Sequence, residues 1–215
     1  MGNLAVVTPS TDARYPIAVL VSGRGTNLQA LIDAAADARY AARIAVVISD
    51  RPGIRALARA EAASIPAIVV DWPGVAHRDA FTNALCDEAR AHGAEALILA
   101  GFMRILAPTA IDRFPDRIIN THPALLPSFP GAHAIAEALA YGAKLTGVTV
   151  HFVDEEVDRG PIILQEAIRI GAGDDETTLR AKVQAVEHRV YPEVVDALAR
   201  GLIDVDGRQV KWRPM

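Results

Sequence analysis

The stretch Ile118–Gly131, IINTHPALLPSFPG, sets an amide and an imidazole two residues apart, Asn120 and His122, ahead of a loop carrying Pro123, Pro127 and Pro130. An amide N–H and an imidazole converging on one point can stabilise an oxyanion and move protons. In an extended chain residues i and i+2 face the same way, so the two side chains share a direction. The prolines restrict the following loop to a narrow set of shapes and lower the entropy lost on ordering it. A lone Asn-x-His triplet, however, is more often built around a structural histidine. A carboxylate would shift that balance. VDEEVDRGP supplies Asp154, Glu155, Glu156 and Asp158, and Asp158 stands before Arg159-Gly160-Pro161, a turn sequence able to aim it inward. An ionised Asp158 beside His122 favours the imidazolium. By itself an acidic turn is more often a solvated loop.

A second stretch with chemical content is SGRGTNLQAL, Ser22–Leu31. Gly23 and Gly25 permit backbone shapes that side chains forbid. Thr26 with Gln29 three residues later has the pattern of a capping box, which starts a helix there with its first N–H groups exposed. Such an end can hold a phosphate, with Asn27 as a further polar group. An ordinary strand-to-helix turn fits the same residues equally well. The loop is not a dinucleotide fingerprint, because Leu28 stands in place of the third glycine, and no Gly-Lys-Ser/Thr follows. Cys86, in a helical stretch, reads as packing. His133 and His151 have no metal-ligand spacing with His122, so no metal is expected.

These residues need a scaffold. IAVLVS (17–22), IAVVIS (44–49), AIVV (67–70) and ALILA (96–100) are continuous apolar runs, separated by helical stretches such as 27–36 and HRDAFTNALCDEARAHG. That alternation predicts a doubly wound α/β fold, a mostly parallel sheet with helices on both faces. After Asn120 the pattern changes. LTGVTVHFV alternates, GPIILQEAIRI follows, and a return pairing of the two predicts antiparallel strands in the C-terminal part. A helix is predicted over 176–199 with a kink or break near Tyr191, because Pro192 lies inside it. Asp206-Gly207 predicts a hairpin with a type I′ turn.

The chain has 215 residues, 51% of them hydrophobic and 22% charged, with a formal net charge of -4. Such a chain is globular, long enough to bury about 70% of its extended surface as one domain, and carries no general attraction for nucleic acid or anionic membranes. A single cysteine excludes an internal disulfide and fits a reducing compartment. With no membrane span and no secretory signal pattern, a cytoplasmic protein is expected. Residues 1–15 are expected to form a flexible extension and 16–215 a single domain.

Five segments in register, AVLVSGRGTNLQALIDA, LILAGFMRILAP, INTHPALLPSFPG, GVTVHFVDEEVDRGPIILQ and VQAVEHRVYP, resemble the phosphoribosylglycinamide formyltransferase family from about Ile17 to Arg200. The resemblance implies transfer of a formyl group from 10-formyltetrahydrofolate to the amine of glycinamide ribonucleotide, in purine biosynthesis. It implies a catalytic trio of Asn120, His122 and Asp158, and ribonucleotide contacts from Gly25, Thr26, Asn27 and Glu187. The folate would meet Arg78, the segment Met103, Arg104, Ile105 and Leu106, the amide of Asn120, and the loop Asp154, Glu155, Glu156, Val157 and Asp158. The nucleotide site would then fall in the N-terminal half and the folate and catalytic site in the C-terminal half. The implied partners are these two small molecules, in a monomer or homodimer. Arg159 departs from the small residue common at that position. Rival readings are a formyltetrahydrofolate hydrolase, a methionyl-tRNA formyltransferase, which normally has an added RNA-binding domain, and a silent nucleotide- or folate-binding module on the same fold.

Overall fold

Apolar runs too short for helices become strands, and the longer stretches between them become helices that cover the sheet. The computed structural model describes residues 12–72 and 77–214. The chain runs β1 (Tyr15–Val21), α1 (Thr26–Ala35), β2 (Ala42–Ser49), α2 (Arg55–Ala62), β3 (Ala67–Val69), α3 (Arg78–Ala91), β4 (Ala96–Leu99), α4 (Pro108–Arg113) and β5 (Ile118–His122). There follow α5 (Ala134–Tyr141), β6 (Leu145–Phe152), β7 (Ile162–Arg169), α6 (Glu176–Ala199), β8 (Ile203–Asp206) and β9 (Gln209–Trp212). Among the described residues the main sheet has the order β3-β2-β1-β4-β5-β6-β7. Its pairs are parallel through β5, then β6 lies antiparallel between β5 and β7. This is the doubly wound α/β fold, with the order reversing between β1 and β4.

Both faces of the central strands are buried. Ile17, Val19 and Val21 pack with Leu28, Leu31, Leu179 and Val190 of α1 and α6. Ala18 and Leu20 face the other way, against Phe81 and Leu85 of α3 and Phe114 after α4. Two covered faces explain why these strands read as unbroken apolar runs. The crevice at the switch point therefore opens between the loop leaving β1 and the loop leaving β4. Among the described residues no helix is long and apolar enough to cross a membrane. Of the expected N-terminal extension, residues 1–11 lie outside the described ones; Arg14 already donates to the Ala35 carbonyl at 2.8 Å.

Of the kink or break expected near Tyr191, the break does not occur, since α6 runs through Pro192 as one helix. Burial of Val194, Val195 and Ala197 holds the turns beyond the proline, so packing outweighs the lost hydrogen bond. In the C-terminal hairpin Asp206 pairs with Gln209, so the loop residues are Gly207 and Arg208, and of these Gly207 alone has a positive φ, 56°. A type I′ turn needs two such residues; one at the first position is the pattern of type II′.

Tyr191 is fully buried and its hydroxyl lies 2.9 Å from the Leu99 carbonyl and 3.0 Å from that of Ile119, bridging the ends of β4 and β5. Tyr191→Phe removes that bridge and leaves buried carbonyls short of a donor. Urea denaturation is expected to report a loss of about 1–3 kcal/mol; an unchanged midpoint would contradict the bridging role.

Candidate active site

The carboxyl end of β5 divides its side chains between the two faces of the sheet, as strand alternation demands. Asn120 and His122 project to one face, and Thr121 between them projects to the other. Opposite them on β6, Asn120 pairs with His151 and His122 with Thr149. The ladder between β6 and β7 shifts by one residue at Val150/His151. Such bulges re-aim neighbouring side chains and are frequent beside active sites. The bulge carbonyl of Ile163 accepts from the Trp212 indole at 3.1 Å, so the C-terminal hairpin satisfies it.

Asp158 arrives from the loop after β6 with φ 56°, a left-handed shape that costs a non-glycine residue energy and needs support from its surroundings. Its Oδ2 accepts from the Gly131 N–H at 2.7 Å and lies 3.4 Å from His122 Nδ1. His122 Nε2 lies 2.8 Å from the Phe129 carbonyl. Oxygen acceptors thus face both nitrogens of the His122 ring, which is only 4% exposed, and only a ring protonated at both positions can donate to both. The proline-rich loop therefore supplies one carbonyl for His122 and one N–H for Asp158. It is held in turn by Thr149, whose hydroxyl donates to the Ala124 carbonyl at 2.7 Å and accepts from Leu126 N at 3.1 Å and from Gln165 Nε2 at 2.9 Å. That is a full set of partners for one hydroxyl.

His151 completes the cluster, and sequence reasoning missed it. The ring is 2% exposed, and burial pushes its pKa down, toward the neutral form. Nδ1 donates to the Phe152 carbonyl at 2.7 Å, so Nε2 carries a lone pair and accepts from Asn120 Nδ2 at 3.3 Å. This orients the Asn120 amide, with one N–H on His151 and the second available to an oxyanion. His151 Nε2 lies 3.8 Å from Asp158 Oδ1, which ties the three sequence-predicted residues into one cluster. The signal that could have found it was the β5–β6 register.

On the opposite face Thr121 Oγ1 donates to Glu187 Oε1 at 3.4 Å, and Asn27 Nδ2 donates to Glu187 Oε2 at 3.3 Å. Glu187 is 7% exposed, and burial raises its pKa despite these two donors. Asn27 Oδ1 is buried without a partner among the described residues. The expected capping box is absent. α1 is entered through Gly25 in the left-handed region (φ 70°), Thr26 is already helical, and no side chain caps the end. A Cβ at Gly25 would stand 2.7 Å from that of Ala56. Glycine is required there by both φ and space. The backbone turn thus does what a capping side chain would, and the first N–H groups of α1 have no intrahelical acceptor.

Because its native pKa is raised, Glu187 binds its proton more tightly folded than unfolded. Its contribution is intact below the unfolded value near 4.5 and is lost as pH rises through the folded value. Urea midpoints from pH 4.5 to 8 are expected to fall more for wild type than for Glu187→Gln; parallel curves would contradict an ionising buried Glu187.

The segment after β4 is pinned at both ends. Met103 N donates to Ser22 Oγ at 2.8 Å, joining it to the β1 loop, and Ala107 N donates to Thr82 Oγ1 at 2.9 Å. Arg104 Nε donates to Asp50 Oδ2 at 2.7 Å, and its guanidinium lies 5.2 Å from the Trp72 ring centroid. Burial acts to raise the Asp50 pKa, but hydrogen bonds from Arg51, Arg104 and Ser22 outweigh it and hold the carboxyl below its usual range. Composition alone would place this segment in the core. Instead Met103 and Ile105 are 61% and 54% exposed, and Leu106 is half-buried. Arg78 is exposed in the first turn of α3. Asp154 is half-buried, with its carboxylate accepting from Glu156 N at 3.0 Å, while Glu155, Glu156 and Val157 are exposed. Arg159 turns outward to pair with Glu156 at 3.2 Å. A separate cleft of about 840 Å³, lined by Arg14, Arg43, Arg90 and His92 among others, opens at the amino ends of the strands and contains none of these residues.

Residues 15–195 match the family model described as formyl transferase. The chain is 45% identical over 202 residues to the phosphoribosylglycinamide formyltransferase of Mycobacterium tuberculosis, covering 94% of this chain and 92% of that one. Its fold superposes with a TM-score of 0.91 on glycinamide ribonucleotide transformylase 1 from Symbiobacterium toebii, at 44% identity over 94% of this chain and 95% of that one. A formyltetrahydrofolate deformylase from Pseudomonas syringae is also similar, at 27% identity and TM-score 0.85, over 94% of this chain but 66% of that one. With the model spanning nearly the whole sheet and α6, the chain belongs to the formyl transferase family.

Proposed function

We propose that this protein transfers the formyl group of 10-formyltetrahydrofolate to the amine of glycinamide ribonucleotide. The observation that carries the reading is the cluster Asn120–His151–Asp158–His122 at the carboxyl end of β5, the strand beside β4. As the neutral amine adds to the formyl carbon, negative charge develops on the formyl oxygen. The free N–H of Asn120 is the donor for that oxygen, and the positive charge of a protonated His122 beside it stabilises it electrostatically. In this scheme Asp158 keeps His122 charged and oriented, and with a bound water relays the amine proton to the leaving nitrogen of the folate. No covalent enzyme intermediate enters the scheme.

Gly25, Thr26 and Asn27 are assigned to the acceptor phosphate, at the helix end where backbone N–H groups and the dipole favour an anion. Glu187 and Asn27 Oδ1 are acceptors suited to hydroxyl or amine donors on the same ligand. The exposed apolar side chains of Met103 and Ile105, on a backbone pinned at both ends, suit a flat heteroaromatic ring. Arg78 and the loop Asp154–Asp158 are assigned to the rest of the folate. A cytoplasmic location accompanies this reading. The test is formyl transfer by purified protein with glycinamide ribonucleotide or water as acceptor. Formylated ribonucleotide is expected; product formed at the same rate without ribonucleotide would mark a hydrolase, and binding without product a silent module.

A further inference from the structure

α2 braces the glycine loop from behind. Ala56 N donates to the Gly23 carbonyl at 3.1 Å, and Arg59 Nε donates to the Arg24 carbonyl at 3.0 Å. Arg59 Nη1 also donates to Gln29 Oε1 at 2.7 Å, one turn into α1. Two successive loop carbonyls are therefore turned toward α2, and successive N–H groups released from such a turn form a concave anion nest. The left-handed Gly25 follows them directly, and a Cβ there would approach Arg59 Cδ at 3.4 Å as well as Ala56. Arg59 thus spans the loop and the first turn of α1 with one planar fork, a geometry that lysine cannot reproduce. Its charge also reaches α6: the His188 pKa is lowered, first by burial and then by Arg59.

We propose that Arg59 is the positioning residue of the acceptor-phosphate loop, holding the Arg24 carbonyl and Gln29 so that the backbone N–H groups of Gly25, Thr26 and Asn27 converge on one anion. The inference rests on the nucleotide-loop assignment above and adds to it a residue that need not touch the ligand. It acts through two hydrogen bonds and not through its net charge alone.

Steady-state kinetics separate the possibilities. Arg59→Ala is expected to raise KM for glycinamide ribonucleotide by about 10-fold, the size of one charge-assisted hydrogen bond, with KM for 10-formyltetrahydrofolate unchanged. Inorganic phosphate should inhibit the variant correspondingly more weakly. Arg59→Lys, the milder replacement should the alanine variant fold poorly, keeps the charge but loses the fork and should recover little. Arg55→Ala, which removes an exposed arginine from the same helix, should leave both KM values near wild type. An unchanged ribonucleotide KM in Arg59→Ala, full recovery by lysine, or equal rises in both KM values would overturn the inference while leaving the nucleotide-loop reading intact. Wild-type protein whose use of ribonucleotide is insensitive to phosphate would refute that reading and the inference with it.

Discussion

Replacing His122 with alanine is expected to lower kcat for formyl transfer by about 10²–10³, the loss typical of removing one preorganised electrostatic stabiliser of an oxyanion. The expectation follows from the ring's setting. His122 is buried, one nitrogen faces the Phe129 carbonyl and the other the Asp158 carboxylate, so the imidazole is held in one orientation before substrate arrives. Preorganisation makes such a charge effective, because no rearrangement is needed as the oxyanion develops. The KM values should change much less, since the formyl oxygen in the ground state offers a neutral and weaker acceptor. The variant should fold, because removing a ring leaves the Phe129 carbonyl and Asp158 beside a space that water can enter. Stopped assays of formylated ribonucleotide at saturating substrates measure the change, and a variant within a factor of about two of wild type would remove His122 from the chemistry.

Asp158→Asn should cost about 10² in kcat with little loss of stability. The substitution is nearly isosteric, and its partners are already placed for it. The amide oxygen can take the Oδ2 position and accept from Gly131 N. The amide nitrogen then faces His151 Nε2, whose lone pair is fixed by the Nδ1 bond to Phe152. What disappears is the negative charge beside His122. Without it the ring loses the charged partner on its Nδ1 side, and with that the contact that orients it. The new amide also competes with Asn120 for His151, loosening the orientation of the Asn120 amide. Full turnover in Asp158→Asn, with the fold verified by its urea midpoint, would show that the carboxylate serves only to position the loop.

The parts of this molecule that were legible in the sequence are those set by local chemistry. β1, β2 and β4 are buried on both faces and so appear as unbroken apolar runs, and α6 was placed from Glu176 to Ala199 by its helical pattern alone. Asn120, His122 and Asp158 were singled out by residue type, spacing and resemblance, and the fold brings these three side chains into one cluster with His151. What escaped depends on contacts distant along the chain. His151 belongs to the site because β6 pairs with β5 as well as β7, and an alternating strand does not announce its second neighbour. Asp50 and Arg104 are 54 positions apart, and neither residue alone suggests a pair, buried on the aspartate side, that fixes the segment after β4. The Thr26–Gln29 box failed for a different reason. Gly25 already turns the chain into α1, and Gln29 is engaged by Arg59 and Asp33. Pro192 likewise shows packing overriding local preference.

The most direct measurement of the central claim uses an unreactive adduct that joins glycinamide ribonucleotide to a folate through a hydrated, tetrahedral carbon in place of the formyl group. If Asn120, His122 and Asp158 recognise the tetrahedral oxygen, then across Asn120→Ala, His122→Ala and Asp158→Asn the loss of adduct affinity should track the loss of kcat/KM with a logarithmic slope of about 1. Affinity for an adduct lacking that oxygen should stay level in all three. Variants that lose turnover yet bind the tetrahedral adduct as tightly as wild type would contradict a shared oxyanion site.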